Sequence, residues 1–359
     1  MMSYTFDEIV ASRGYLDFIP KNDNDSSLAE LQIAYDIFFR VLDTPEFRVT
    51  TEKREIDQQI IVRLLEKLNS KDPQVREFLH SVLRRIYVKF VGLRSFIRKE
   101  MNNKFYRFLY ETEFMDGIGE LLDIVVEIIR GLRLPLKPEF KLFLEKIIIP
   151  MHKVKELPLY HTQLRLCITE YLDKYPLLTE TVVLGLLKFW PKTSTEKEAL
   201  FLDEIEDILA KTVQEEFKKI QVPLFRQIAK CVSSTSFPIA ERALYLWGNS
   251  KITVLIVSNH EVIMPIMLPT LFRVTKDHWN RDVVAIVFTV LKMFLRINKR
   301  LFNTLSFEYK AEKAKEKKLK REHEERWNKK EKLPSKRFRS ISEGGKPNSL
   351  KANIASQIK

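Results

Sequence analysis

Apolar residues recur at three- and four-residue spacing through most of the chain, and no sustained alternation of apolar and polar positions interrupts them. That spacing places one apolar stripe along a helix, so it predicts helix nearly throughout. Helices are expected over 28–42, 56–68, 74–101 with an extension or restart over 105–111, 117–132, 139–150, 161–175, 179–190, 196–212, 215–231, 239–247, 252–258, 262–274 and 282–304. Turns are expected at Pro135, Pro158, Pro176, Pro191, Pro238 and Gly248. Each helix pair consumes roughly 40 residues, the period of HEAT-like repeats. The expected fold is therefore all-α, a HEAT-like α-solenoid of about six or seven helix pairs. Such pairs bury a continuous core against their neighbours and leave one side for partners.

Domain boundaries follow from the same pattern. Residues 1–26 form a divergent N-terminal segment ending in the polar run KNDNDSS. Residues 27–307 hold the repeats. Residues 308–333 read as a charged helical extension supported by Glu–Lys pairs four apart, with Trp327 expected to dock it. Residues 334–359 read as a disordered basic tail.

Composition changes this picture little. The formal charge is +13, but 17 basic and 8 acidic residues after Phe307 supply +9 of it. The basic balance thus belongs mainly to the tail and argues only weakly for nucleic acid as a partner of the repeats. Cys167 and Cys231 lie in apolar helical patterns, as buried free thiols of a reducing compartment would. The first residues lack an apolar leader core, and no apolar run reaches the roughly 18 residues of a membrane span. No membrane partner is expected, and the expected location is cytoplasm and nucleus. LysArgPheArg at 336–339, beside Ser340 and Ser342, fits a nuclear-import signal tuned by phosphorylation, or merely a solubilising tail.

Catalytic chemistry is not legible. The chain has no GxSxG, no glycine-rich phosphate loop and no HExxH, and its six histidines lack ligand spacing. The acidic run at 203–207 would point to different sides of a helix. No enzyme activity, metal or cofactor is expected.

One stretch stands out. RRIYVKFVGLRSFIRKEMNNKFYRFLYETE, over 84–113, interleaves arginines and aromatics, and Arg84, Tyr87, Val91 and Arg94 share a helical face. Such a face can hold an acidic, partly apolar peptide; a helix with one buried stripe and solvated charges accounts for the same spacing. Ile124 and Ile128, four apart on the neighbouring helix, and Lys137 after LeuProLeu complete a groove with apolar walls and a basic rim.

This stretch, with LPLK (134–137), PMHKVK (150–155), YHTQL (160–164), WPKT (190–193), PLFRQIAKCVSS (223–234), ERALYLW (241–247), HWN (278–280) and KAEKAKEK (310–317), resembles the B-prime (B56-type) regulatory subunits of protein phosphatase 2A. The likeness runs in one order over roughly residues 30–330. It implies a non-catalytic subunit that joins a scaffold subunit and a serine/threonine phosphatase catalytic subunit, and recruits substrate proteins through acidic motifs of the type Leu-x-x-Ile-x-Glu. By resemblance Arg85, Tyr87, Arg94, Ile124, Ile128 and Lys137 fall on groove positions. Arg84 and Phe140 stand where that family usually has histidine. Members of the family carry one or two further helix pairs before the segment matching 31–47, which here is replaced by unrelated residues. The competing reading is a basic-tailed helical-repeat adaptor for nuclear import or nucleic acid, which needs a basic inner face on several successive repeats.

Overall fold

The computed structural model describes residues 58–111 and 114–342, with side chains as far as Asn328. The helix expected over 28–42 and the segment 1–26 lie outside the described residues. Fourteen helices follow in order, and no strand occurs among the described residues. They are α1 (Gln58–Lys67), α2 (Pro73–Lys89), α3 (Arg94–Tyr110), α4 (Ile118–Arg130), α5 (Pro138–Phe143, continued by a π turn Leu144–Ile148 and the short turn Ile149–Met151), α6 (His161–Lys174) and α7 (Thr179–Lys188). Then come α8 (Thr195–Lys211), α9 (Gln214–Val232), α10 (Phe237–Tyr245), α11 (Ser250–Ser258), α12 (His260–Asp277), α13 (Arg281–Ile297) and α14 (Lys299–Ser342). The described chain divides after Val290 into two compact units.

Helix starts are written locally. Asp72 accepts the backbone N–H of Gln74 at 2.8 Å, with Pro73 in the first turn. Ser194 caps α8, whose first turn carries Glu196 and Glu198. Both patterns satisfy N–H groups that a helix leaves orphaned. Three boundaries differ from expectation. The helix expected over 74–101 breaks at Phe90, passes through a short tight turn over Val91–Leu93 and restarts at Arg94. The segments expected over 239–247 and 252–258 are α10 and α11, and together they form one side of a pair closed by α12. The helix expected over 282–304 breaks at Asn298, whose side chain accepts the N–H of Leu301 and begins α14.

In the first unit the helices lie in two rows. One row is α2, α4, α6, α8 and α10–α11; the other is α1, α3, α5, α7, α9 and α12, and each helix packs on the next of its row. Five complete pairs, α2/α3 to α10–α11/α12, are present among the described residues. The row contacts explain the 40-residue period: three bonds between equivalent helices join residues 39 to 44 apart. Arg76 of α2 holds Glu120 of α4, Arg130 of α4 holds Glu170 of α6, and Arg242 of α10 holds Asp203 of α8. Gly185 permits one close approach, since a Cβ there would lie 2.5 Å from Ile149 Cγ2. Pro150 has no N–H for the Lys146 carbonyl four residues earlier, and the Tyr110 hydroxyl donates to that oxygen at 3.1 Å instead.

A buried ion pair ties the end of α5 and the start of α6 to α8. Glu204 on α8 and His152 after α5 have no exposure, and His161 opening α6 is 5% exposed. His152 Nε2 lies 3.1 Å from Glu204 Oε2, and His161 Nε2 lies 3.0 Å from the same oxygen. His152 Nδ1 faces only the Ile149 carbonyl, at 2.9 Å. Both ring nitrogens thus meet acceptors, which requires an imidazolium. Burial alone would raise the Glu204 carboxyl, but His152 and His161 overcome it and hold it at about 2. Burial alone would lower His152, but Glu204 outweighs it and the ring is raised.

The second unit begins inside α13 and contains α14. The helix continues past Leu333 and through Pro334 to Ser342, beyond the boundary expected from sequence. Trp327 is exposed, so among the described residues it does not dock the extension.

The sign of the pH dependence follows from the Glu204 pair. Its depressed carboxyl contributes stability that is lost as pH falls from about 4.5 towards 2, and its raised imidazolium contributes stability that is complete below 6.5 and lost as pH rises from there through His152's folded value. Thermal melts of the wild type should show a lower Tm at pH 8.5 than at pH 6, and Glu204→Gln should cost about 3–5 kcal/mol at pH 6 because it leaves a buried cation unpaired. A flat Tm from pH 6 to 8.5, together with an unaffected variant, would show that the pair does not hold the repeats.

Candidate functional site

The break between α2 and α3 exposes the last carbonyls of α2, which have no helical partner. Arg94 supplies one. Its Nε donates to Tyr87 O and its Nη2 to Val88 O, each at 2.8 Å, while its guanidinium stacks 5.4 Å from the Tyr87 ring centre. One turn along α3, Arg98 Nη1 donates to the Tyr87 hydroxyl at 3.3 Å and lies over the Phe140 ring of α5 at 5.7 Å. Its other nitrogen is 3.9 Å from Glu139 Oε1. A ladder of alternating cation and ring therefore runs Arg94, Tyr87, Arg98, Phe140 across α2, α3 and α5. Beside it opens a cavity of about 360 Å³, lined by Arg98, Phe140 and Ile128 among others.

The residues singled out in sequence divide into groups. Tyr87, Arg94 and Ile128 come together at the ladder and its cavity. Ile124, expected in the groove wall, is 1% exposed and belongs to the core. Arg84 donates to Glu127 of α4 at 3.0 Å, and Glu127 leads on through Arg130 to Glu170 of α6. Its charge is thereby engaged along the other row. Arg85 and Lys137 are exposed, the latter at the entry to α5. Phe140 presents a ring that Arg98 covers. Arg98 itself is the residue the sequence reading passed over. Its signal was the i,i+4 relation to Arg94, which puts both guanidinium groups on one helix face.

The arrangement offers guanidinium donors and apolar wall to a peptide, and nothing for bond-making chemistry. Among the described residues no group of three or more His, Cys, Asp or Glu is set to hold a metal ion, and no single helix is long and apolar enough to cross a membrane. Burial raises both thiols, Cys167 and Cys231, far above the range of reactive cysteines.

Comparison with known proteins agrees with these elements. The family model described as protein phosphatase 2A regulatory B subunit (B56 family) matches residues 15–333. The 56 kDa regulatory subunit alpha isoform of serine/threonine-protein phosphatase 2A from Mus musculus is 50% identical over 324 residues, covering 89% of this chain and 67% of the relative. The regulatory subunit pptr-1 of Caenorhabditis elegans is 48% identical over 88% of this chain and 59% of its own length. The human delta isoform is 47% identical, over 88% and 53%. The chain thus spans between about half and two thirds of the relatives it matches.

Arg94 has a structural duty that its sequence position did not reveal: it closes the end of α2. Arg94→Ala should lower unfolding free energy by about 1.5–3 kcal/mol, the range for hydrogen bonds from a charged group, and Arg94→Lys should recover part of it. Urea unfolding measures this; a midpoint equal to wild type for Arg94→Ala would remove the cap from the account.

Proposed function

Because the chain belongs to the B56 family of protein phosphatase 2A regulatory subunits, we propose that it serves as a non-catalytic subunit of a phosphatase 2A holoenzyme. It would sit with a scaffold subunit and a serine/threonine phosphatase catalytic subunit. It would choose substrates by capturing acidic Leu-x-x-Ile-x-Glu motifs, which raises the effective concentration of the attached phosphoprotein near the catalytic subunit. The observation that carries the motif reading is the Arg94–Tyr87–Arg98–Phe140 ladder beside Ile128. The Ile128 and Phe140 side chains offer apolar wall to the motif's aliphatic residues. Arg98, only 3.9 Å from its one carboxylate neighbour, offers a guanidinium to the motif's glutamate. Arg85 and Lys137 add positive rim at which screening by salt weakens capture.

The adaptor reading is less well supported. On later repeats three basic residues of the α6–α10 row are matched to acids, Arg165 to Asp207, Lys211 to Asp173, and Arg242 to Asp203 and Glu206, and Lys174 and Lys197 are taken up by backbone carbonyls. A nucleic-acid surface requires such groups to be free for phosphates. The basic run at 336–339 remains a proposal for nuclear import, read out by the nuclear fraction after removal of residues 334–359.

Titration of a fluorescent Leu-x-x-Ile-x-Glu peptide tests the groove. Arg98→Ala should weaken binding about tenfold, equivalent to about 1.4 kcal/mol, with a melting curve near wild type. Ile128→Asp should abolish binding, and its melting curve shows whether packing suffers as well. Co-expression with scaffold and catalytic subunits tests assembly. A wild type that ignores the peptide, or equal affinities for all three proteins, would refute the groove; failure to co-purify while folded would refute the holoenzyme.

A further inference from the structure

The cavity does not stop at Arg98. Along α3 its wall continues through Ser95, Lys99, Asn102 and Tyr106, which are spaced four, three and four apart and so form one straight helix face. The side chains of Ser95, Lys99 and Asn102 make no hydrogen bond or ion pair among the described residues, in contrast to the matched charges of the later repeats. Opposite them on α5 lies Phe143, whose ring packs 6.0 Å from that of Phe105. Tyr106, 42% exposed and stacked on Tyr110, closes the far end. Helix α3 carries five basic residues, Arg94, Arg98, Lys99, Lys104 and Arg107, against the single acid Glu100.

These features describe a track for an extended chain. An asparagine side chain is itself one amide, with a donor and an acceptor, and can satisfy both the C=O and the N–H of a peptide passing over it. A free ammonium beside a free amide suits a carboxylate next to a backbone contact. Ser95 to Tyr106 covers about 16 Å of helix at 1.5 Å per residue, the length of about five extended residues at 3.3 Å each.

We infer that the groove continues along α3 beyond the core motif and takes about five flanking residues of the same acidic peptide, with its backbone on Asn102, a carboxylate at Lys99 and an apolar side chain against Phe143. The inference rests on the groove proposed above and adds the flank as a second determinant of substrate choice. Charge complementarity selects an acidic peptide over other occupants, and the apolar wall demands that acid alone be insufficient.

The test uses the full chain and four fluorescent peptides in a polarisation assay. One carries the core motif between Gly-Ser flanks. Two carry the core with a five-residue flank containing Leu and two Asp, placed on the amino or the carboxy side. The fourth keeps the flank acids and replaces its Leu by Ser. The expected result is about tenfold tighter binding for one of the two full flanks, with most of that gain lost in the Ser peptide. In the variant Lys99→Glu/Asn102→Ala the gain should vanish, while core-peptide affinity stays within about twofold and the melting curve is unchanged. Phe143→Ser is the second variant, read with the same core peptide as its folding control. Flanked peptides that bind no tighter than the core, a gain equal in the Ser peptide, or a gain that survives both variants would each overturn the flank while leaving the core groove standing. A protein that binds none of the four peptides would overturn both.

Discussion

A pair of amphipathic helices cannot cover its own apolar stripes, and in the first unit the surplus is removed only by the next pair in each row. That dependence sets everything else. It makes bonds between residues 39 to 44 apart recur along the stack, and it puts polar side chains where two repeats meet. The Glu204 carboxylate is the extreme case. It lies on α8, has no access to water, and is held by His152 after α5 and His161 at the start of α6. A buried charge is tolerated only when paired, so the spacing of three elements is tied to the geometry of one ion pair.

The ends of helices follow a second rule. A helix leaves its last carbonyls without donors, and cations from later helices fill several of these places. Arg94 does so for α2, Lys174 of α6 for the end of α4 at Arg130 and Leu132, and Lys197 of α8 for the carbonyls of Lys153 and Val154. The same groups complement the negative end of the helix dipole. Arginine in such a corner has a double effect. Its forked head satisfies backbone oxygens while its flat face remains available to a ring, as Arg94 stacks on Tyr87. The proposed groove therefore draws on residues that also hold the corner together. In such a place a loss of peptide binding on substitution is interpretable only beside a stability measurement.

Three circumstances converge where α2, α3 and α5 meet. The chain breaks at Phe90, which brings a second arginine-bearing helix against the first. The π turn within α5 forms next to Pro150, where Tyr110 of α3 reaches the Lys146 carbonyl. Phe140 gives Arg98 a ring to cover. The consequence is a cavity lined by rings and aliphatic side chains, by Arg98 and Lys99, and by one carboxylate, Glu139.

The amino-acid sequence by itself determined the helical class, the repeat period and the family, because stripes at three- and four-residue spacing and long ordered strings survive without coordinates. It also put Tyr87 and Arg94 on one face, where the two meet. Only the tertiary structure decided which side chains remain free for a partner. Ile124 and Ile128 are four apart on one stripe, yet Ile124 is sealed and Ile128 lines the cavity, because the outcome depends on where α5 crosses. Arg84 and Arg98 carry the same charge, yet Arg84 is committed to Glu127 and Arg98 faces Phe140 and a distant Glu139. The break at Phe90 escaped the periodicity because a short tight turn with an arginine clamp keeps the apolar stripe nearly in phase. Spacing records which face a residue occupies; which groups across that face use up its hydrogen bonds is settled by elements some 40 residues away.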